Sequence, residues 1–258
     1  MKNLKSLSLT LVFVVGLYAQ ASAWGALGHY VIGQLAEWQM KPVTVQRVEA
    51  ILQQQSISGV GVWMDNIRSD ERYAYTYTWH WVTTVDGTYD PSLQEEAGDA
   101  YEAFLRIKDI LKKGGLSAEE ERDYLRMLIH ITGDLHQPFH VGKPGDRGGN
   151  DVKVKFFNKD TNIHAVWDSD LIATKQMSYS EMAKELYKRV DSEMVRKYTA
   201  GTPADWLKEN VALRPFMYDI PEDGRIGYPY IYKYYHHVEE RLIAAGIRLA
   251  QALEEIYG

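Results

Sequence analysis

Eight histidines stand at positions 29, 80, 130, 136, 140, 164, 236 and 237, and four of them fall between 130 and 164. Two pairs repeat one spacing: His130 with Asp134, and His164 with Asp168, each four residues apart. On a helix such residues lie about 40° from each other around the axis, so an imidazole and a carboxylate can hold one ion between them. His140 follows Pro138, and the glycine-rich stretch from Gly142 to Asn150 lets the chain turn sharply and bring His140 towards His164. Neutral imidazole with carboxylate suits zinc, which takes four ligands when structural and leaves a position open when catalytic. Either His-x-x-x-Asp pair alone is commonplace as a surface hydrogen bond of a helix; two pairs with His140 between them point to a metal.

The chain contains no cysteine. Thiol nucleophiles and Cys-type zinc sites are therefore excluded, the fold must be held by its core or by metals, and catalytic zinc is favoured over structural zinc. His136 comes six residues after His130, on a different side of the helix, where a supporting or capping role fits better than ligation. His236 and His237 sit at a predicted helix start and are read as structural.

These side chains need a frame. Apolar residues at three- and four-residue intervals predict helices over 26–40, 43–55, 60–72, 94–112, 117–137, 178–197 and 236–257. The helix carrying His130 and Asp134 opens with Ser117-Ala-Glu-Glu120, a capping-box pattern, and should end near Pro138. Strand character is confined to Asp151 to Phe157, where Val152, Val154 and Phe156 alternate with lysines, and Asn158-Lys-Asp160 supplies a turn. The tyrosines at 228, 230, 232, 234 and 235 are read as packing residues, although such a cluster can also stack bases. The expected fold is mainly α, a single helical domain with a short β-hairpin. With 45% hydrophobic and 25% charged residues the composition is that of a folded globular chain, and no internal repeat or linker divides it.

Residues 1–23 stand apart. Lys2 and Lys5 precede an apolar run from Leu7 to Tyr18, and Ala21-Ser22-Ala23 follows. This reads as a signal peptide cut before Trp24, since a run of about a dozen residues is too short for a bilayer core that needs roughly 20. The expectation is an exported protein, periplasmic or secreted, with one domain over 24–258 and no membrane contact after cleavage. Removing Lys2 and Lys5 takes the formal charge from −6 to −8. An acidic chain is a poor non-specific binder of polyanions, so any handling of nucleic acid needs local positive charge from a few Lys and Arg or from metal ions.

Taken together, the motifs resemble those of the zinc-dependent single-strand nucleases of fungi, plants and bacteria called the S-one/P-one family, similar in fold to bacterial zinc phospholipase C. The resemblance is carried by Trp24-Gly-Ala-Leu-Gly-His29, Trp63-Met-Asp65-Asn-Ile-Arg68, Trp79-His80-Trp81, Leu128-Ile-His130-Ile-Thr-Gly-Asp134-Leu-His-Gln-Pro-Phe-His140, Asp146-Arg-Gly-Gly-Asn150 and Asn162-Ile-His164-Ala-Val-Trp-Asp168. It implies three zinc ions per chain. The first would rest on Asp65, His80, His130 and Asp134, and the second on His140, His164 and Asp168. The third would use His29, Asp134 as a bridge, and the α-amino nitrogen and carbonyl oxygen of Trp24, available only if cleavage follows Ala23. Three divalent ions against three aspartates leave about +3 at the reacting centre, which answers the charge problem of an acidic chain. The resemblance further implies that Asp65 orients the attacking water, that Arg68 steadies the pentacoordinate phosphate, and that Trp81 stacks a nucleobase, favouring single strands. Lys143, Arg147, Lys153 and Lys155 flank the cluster and can guide a backbone, Lys143 foremost, although a solvated basic face is the ordinary fate of such residues. Thr83 departs from the pattern: fungal members carry an acidic residue there to read the base edge, so their base preference does not transfer.

The expected activity is an endonuclease cutting single-stranded DNA and RNA to 5′-phosphate products, with 3′-nucleotidase action on 3′-nucleotides, by a monomer. Two alternatives remain at this stage: a zinc phospholipase C acting on phospholipid head groups, and a non-catalytic zinc-binding exported protein.

Overall fold

The helix periodicity is realised over most of the chain, with breaks where local chemistry overrides it. The computed structural model describes residues 24–258; the expected signal peptide lies outside the described residues. Helix α1 (Ala26–Gln39) is followed by α2 (Pro42–Ile51), which stops where Gln53 and Gln54 turn left-handed. Helix α3 (Ala100–Lys113) is capped by Asp99, whose carboxylate accepts the Glu102 N–H, and so begins six residues later than the periodicity alone suggests. Helix α4 (Ala118–Asp134) has the expected capping box between Ser117 and Glu120. It ends at Asp134, four residues short of Pro138, because a residue before proline is steered away from helical angles and the chain tightens into turns first.

The expected helix over 178–197 is two helices, α5 (Tyr179–Tyr187) and α6 (Ser192–Thr199), since Asp191 caps a new start by accepting the Met194 N–H. Helix α7 (Pro203–Val211), with proline in its first turn, escapes the periodicity. Helix α8 (Tyr228–Tyr257) begins eight residues before His236, again with a proline in its first turn; at 30 residues it spans about 45 Å. Residues 60–72 do not form one helix. They form short turns at Ile57–Val60 and Trp63–Asn66, then 3-10 segments at Ile67–Ser69 and Glu71–His80.

Helix α1 is the axis of the molecule. It packs on α8, α5 and the turn Ile57–Val60, while α4 lies against α3 and α8. The core between them holds Ile32, Leu35, Phe104, Ile107, Leu128, Ile131, Leu242 and Leu249, all essentially shielded from solvent. Two small sheets flank the helices. Strand β1 (Val82–Thr83) runs parallel to β2 (Val141–Gly142), with Val82 opposite Val141. Strands β3 (Lys153–Phe156) and β4 (Lys159–Asn162) form the expected hairpin, and β5 (Arg225–Ile226) adds a parallel third strand that the sequence did not announce. The hairpin turn is Phe157-Asn158, with Phe157 left-handed at φ 53°, so Lys159 and Asp160 belong to β4 and not to the turn. Among the described residues no helix is long and apolar enough to cross a membrane.

Candidate metal centre

Helix α4 presents His130 and Asp134 one turn apart on its buried face. The Asp134 Oδ2 lies 3.2 Å from His130 Nε2 and 3.1 Å from His80 Nδ1, and those two nitrogens are 3.0 Å apart. The Asp65 Oδ1, from the turn Trp63–Asn66, is 3.9 Å from each of the same nitrogens. Two ligand atoms held at roughly 2.0–2.1 Å from one tetrahedral ion are a little over 3 Å apart, so this quartet has the spacing of a single ion's shell. The other Asp134 oxygen, Oδ1, faces His29 Nε2 of α1 at 3.4 Å. The ligand atom of His29 also lies within 4.8 Å of those of Asp65 and His130. A third group sits beyond Asp134: His140 Nε2 is 3.6 Å from Asp168 Oδ1, and His164 Nε2 is 3.7 Å from Asp168 Oδ2. His164 and Asp168 belong to one short helical segment, Ile163–Ala173, whose middle, Val166–Asp170, is a π-helical turn.

The chemistry of these donors fits metal ions. His130 Nδ1 donates to the Gly61 carbonyl at 2.7 Å, His164 Nδ1 to the Gly148 carbonyl at 2.7 Å, and His140 Nδ1 to the His80 carbonyl. With the outer nitrogen committed as a donor, the inner Nε2 of each neutral ring is a lone pair aimed at carboxylate oxygens, an arrangement that repels unless a cation stands between. The inner nitrogens of His29, His140 and His164, together with Asp134 Oδ1, are buried without a hydrogen-bond partner among the described residues. The electrostatics say the same. Burial favours neutral His140, yet the Asp134 and Asp168 carboxylates outweigh it and raise its pKa to about 9. Burial likewise opposes ionisation of Asp134, but the charges of His130 and His140 hold its carboxyl well below the usual range. A site with this bias demands positive charge, as protons or as metal.

Trp24 is fully buried on Gly28, and the Gly25 N–H bonds to the Asp168 carbonyl at 2.8 Å, which fixes the start of the described chain beside the Asp168 segment. The remaining candidates share a cleft of about 760 Å³ that opens over the cluster. Arg68, Trp81, Thr83, Lys143 and Arg147 line it with His80, His140 and His164. Arg68 Nη2 is 3.1 Å from Asp65 Oδ1. Lys143 lies 3.6 Å from Asp146 and 4.0 Å above the Tyr218 ring, which steadies it at the rim. Lys153 and Lys155 are not in this cleft; they lie on the exposed side of the hairpin.

Three contributors escaped the sequence reading. Gln137 is fully buried and donates to Asp168 Oδ1 at 2.7 Å, while its own oxygen accepts the Phe139 N–H. It thus orients one of the carboxylates. An uncharged amide between two histidine motifs gives no chemical signal, and only its place before Pro138 marks it. Gly148, at φ 60°, is the second: its carbonyl holds His164, and a Cβ there would meet the Phe139 carbonyl oxygen at 2.5 Å. Tyr77, 60% exposed, sets its ring edge-on to Trp81 at 5.6 Å between centroids in the same cleft. His136 is a supporting residue. It donates to the Thr132 carbonyl, accepts from the buried Arg248, and is held neutral by burial and by that neighbouring charge. His237 stacks on Phe216 and Tyr234 with His236 tilted against it, and neither belongs to the three candidate metal groups.

Comparison with known proteins gives a consistent answer. The family model described as S1/P1 Nuclease matches residues 24–258. Endonuclease 2 of Arabidopsis thaliana is 26% identical, with all of both chains covered. Nuclease P1 of Penicillium citrinum is 24% identical over 91% of this chain and 98% of its own. Nuclease S1 of Aspergillus oryzae is also 24% identical, over 74% of this chain and 69% of its own. The full-length match, together with a helical fold that gathers the histidines and aspartates in one place, identifies the chain as a member of the S1/P1 nuclease family.

Proposed function

We propose that the protein is a zinc-dependent phosphodiesterase that cuts single-stranded DNA and RNA to 5′-phosphate products and removes phosphate from 3′-nucleotides. The observation that carries the reading is the convergence of inward-facing imidazole lone pairs and carboxylates at the floor of a cleft whose walls are an exposed Tyr77, a half-buried Trp81 and three cations. Three zinc ions would be held as follows: one by Asp65, His80, His130 and Asp134; one by His140, His164 and Asp168; one by His29, Asp134 and the backbone of Trp24. The last needs Trp24 as the mature first residue, which joins metal binding to export and to signal removal after Ala23.

When bound, the ions supply Lewis-acid neutralisation of phosphate oxygens and lower the pKa of water from about 15.7 towards roughly 7. The chain's own residues do the rest. The Asp65 carboxylate takes a proton from the attacking water and aims its lone pair at phosphorus, while Arg68, braced by that same carboxylate, donates to the equatorial oxygens as charge accumulates on them; as the new P–O bond forms the bond to the 3′ oxygen breaks, and that oxygen leaves and takes a proton from solvent. Trp81 and Tyr77 offer ring surface to a base, which a strand with unstacked bases can use and a duplex cannot. Lys143 and Arg147 hold the neighbouring phosphates.

A side-by-side initial-rate assay on single-stranded DNA and short-chain phosphatidylcholine, with and without a zinc chelator, tests the reading. Chelator-sensitive DNA cleavage with little lipid turnover is expected. Faster lipid turnover would replace the substrate assignment, and cleavage of neither would leave only a metal-binding protein.

A further inference from the structure

A second groove, of about 670 Å³, lies outside the metal cleft, between the hairpin and the segment Asp223–Arg225. Its cations are Lys153, Lys155, Lys159 and Arg225, against Asp160 and Asp223 and against Asp170, which pairs with Lys159 at 3.1 Å, so it keeps a small net positive charge in a chain that carries −6. Strand alternation puts Lys153 and Lys155 on the exposed face of β3 while Val154 and Phe156 fill the core, and the parallel register sets Arg225 beside Lys155. Neither Lys153 nor Arg225 has a carboxylate within ion-pair distance among the described residues. Lys155 does, at 3.3 Å from Asp160, but that aspartate is 88% exposed and such a surface pair yields easily to a better anion.

The groove does not stand alone, because Asn150 lines both it and the metal cleft, and Lys153 Nζ donates to the Asn150 carbonyl at 2.9 Å. A strand leaving the cleft at Asn150 meets the row Lys153, Lys155, Arg225 next. Side chains two apart on β3 are about 6.7 Å apart, close to the spacing of consecutive phosphates along an extended strand.

Resting on the nuclease reading above, we propose that this groove is a backbone-binding extension of the active site, holding phosphates of the unreacted part of a single strand. Its chemistry is electrostatic and blind to sequence. The protein would accordingly favour polynucleotides over dinucleotides by binding, with no gain at the chemical step.

The test compares the zinc-loaded protein with a Lys155→Gln/Arg225→Gln variant on a dinucleotide and on a 30-nucleotide single strand. A several-fold rise in KM for the long strand is expected, with kcat and all dinucleotide kinetics unchanged. The slope of log affinity against log salt should fall in magnitude by about 0.7 for each phosphate that the variant no longer neutralises. Unchanged long-strand KM would overturn the proposal, and so would equal loss on both substrates, since that marks damage to the metal cleft. Anisotropy of a labelled strand in an Asp65→Asn background reads the groove without cleavage. If wild-type protein cut neither substrate, the nuclease reading would fall, while weaker strand binding in the double variant would still support the groove and equal binding would sink it.

Discussion

Asp134 turns its two oxygens to opposite sides, Oδ2 towards His80 and His130 and Oδ1 towards His29. An asparagine would keep one ligating oxygen and put an NH₂ donor in place of the other, facing a nitrogen lone pair. Asp134→Asn should therefore lose two of the three expected zinc positions; three ions counted by elemental analysis in that variant would contradict the bridge. Gln137 offers a subtler test. Gln137→Leu keeps the volume and removes the bond to Asp168 Oδ1, so zinc affinity or activity should drop about 10–100-fold, the scale for losing a group that orients a metal ligand. If Trp24 is the mature first residue, as proposed, adding one residue ahead of it removes its α-amino group as a metal ligand. A loss of roughly 10²–10³-fold in kcat is expected, as for removal of one electrostatic stabiliser, and unchanged kinetics would refute a role for the amino terminus.

At the scale of elements, legibility followed periodicity. The capped helix α4, the hairpin and the His-x-x-x-Asp pairs were visible because each is written as a period: one face of a helix repeats every turn and one face of a strand every second residue. The segment Glu71–His80 was not, since Glu-Arg-Tyr-Ala-Tyr-Thr-Tyr-Thr-Trp-His alternates with a period nearer two and winds as 3-10 under tertiary packing, yet it delivers His80 and sets Tyr77 by Trp81. Helix α7 and strand β5 were hidden because one is short and half-exposed and the other has only two residues. The candidate ligands were legible as residues, while the atoms that aim them were not: carbonyls of Gly61, His80 and Gly148 come from three separate turns. Helix α4 also needs Gly133, where a Cβ would stand 2.8 Å from the His29 ring. Gly133→Ala should cost about 1–3 kcal/mol through overpacking, seen as a lower denaturation midpoint, with weaker zinc binding at His29.

Across the whole molecule, a net negative chain gathers its candidate metal ligands in one place, and behind them a buried network, joined to His136 through Arg248, ties α7 to α8. Glu209 accepts from Arg248 at 2.6 Å and from Arg241 at 2.7 Å. Burial would raise its pKa, but the Arg248 hydrogen bond and the Arg241 charge bring it down to about 2. A depressed carboxyl stabilises fully above its ordinary pKa of about 4.3 and loses that contribution as the pH falls through about 2. Glu209→Gln should therefore melt below wild type at pH 7, with the gap closing between about pH 4.5 and 2; a gap independent of pH would count against the ion pairs.

A trinuclear zinc centre is tested most directly by stripping the signal-cleaved protein of metal and returning zinc in steps, with hydrolysis of single-stranded DNA read at each step. No cleavage is expected at the start, and the rate should reach its plateau only at three zinc ions per chain. Full activity in the stripped protein, or a plateau at one ion, would contradict such a centre.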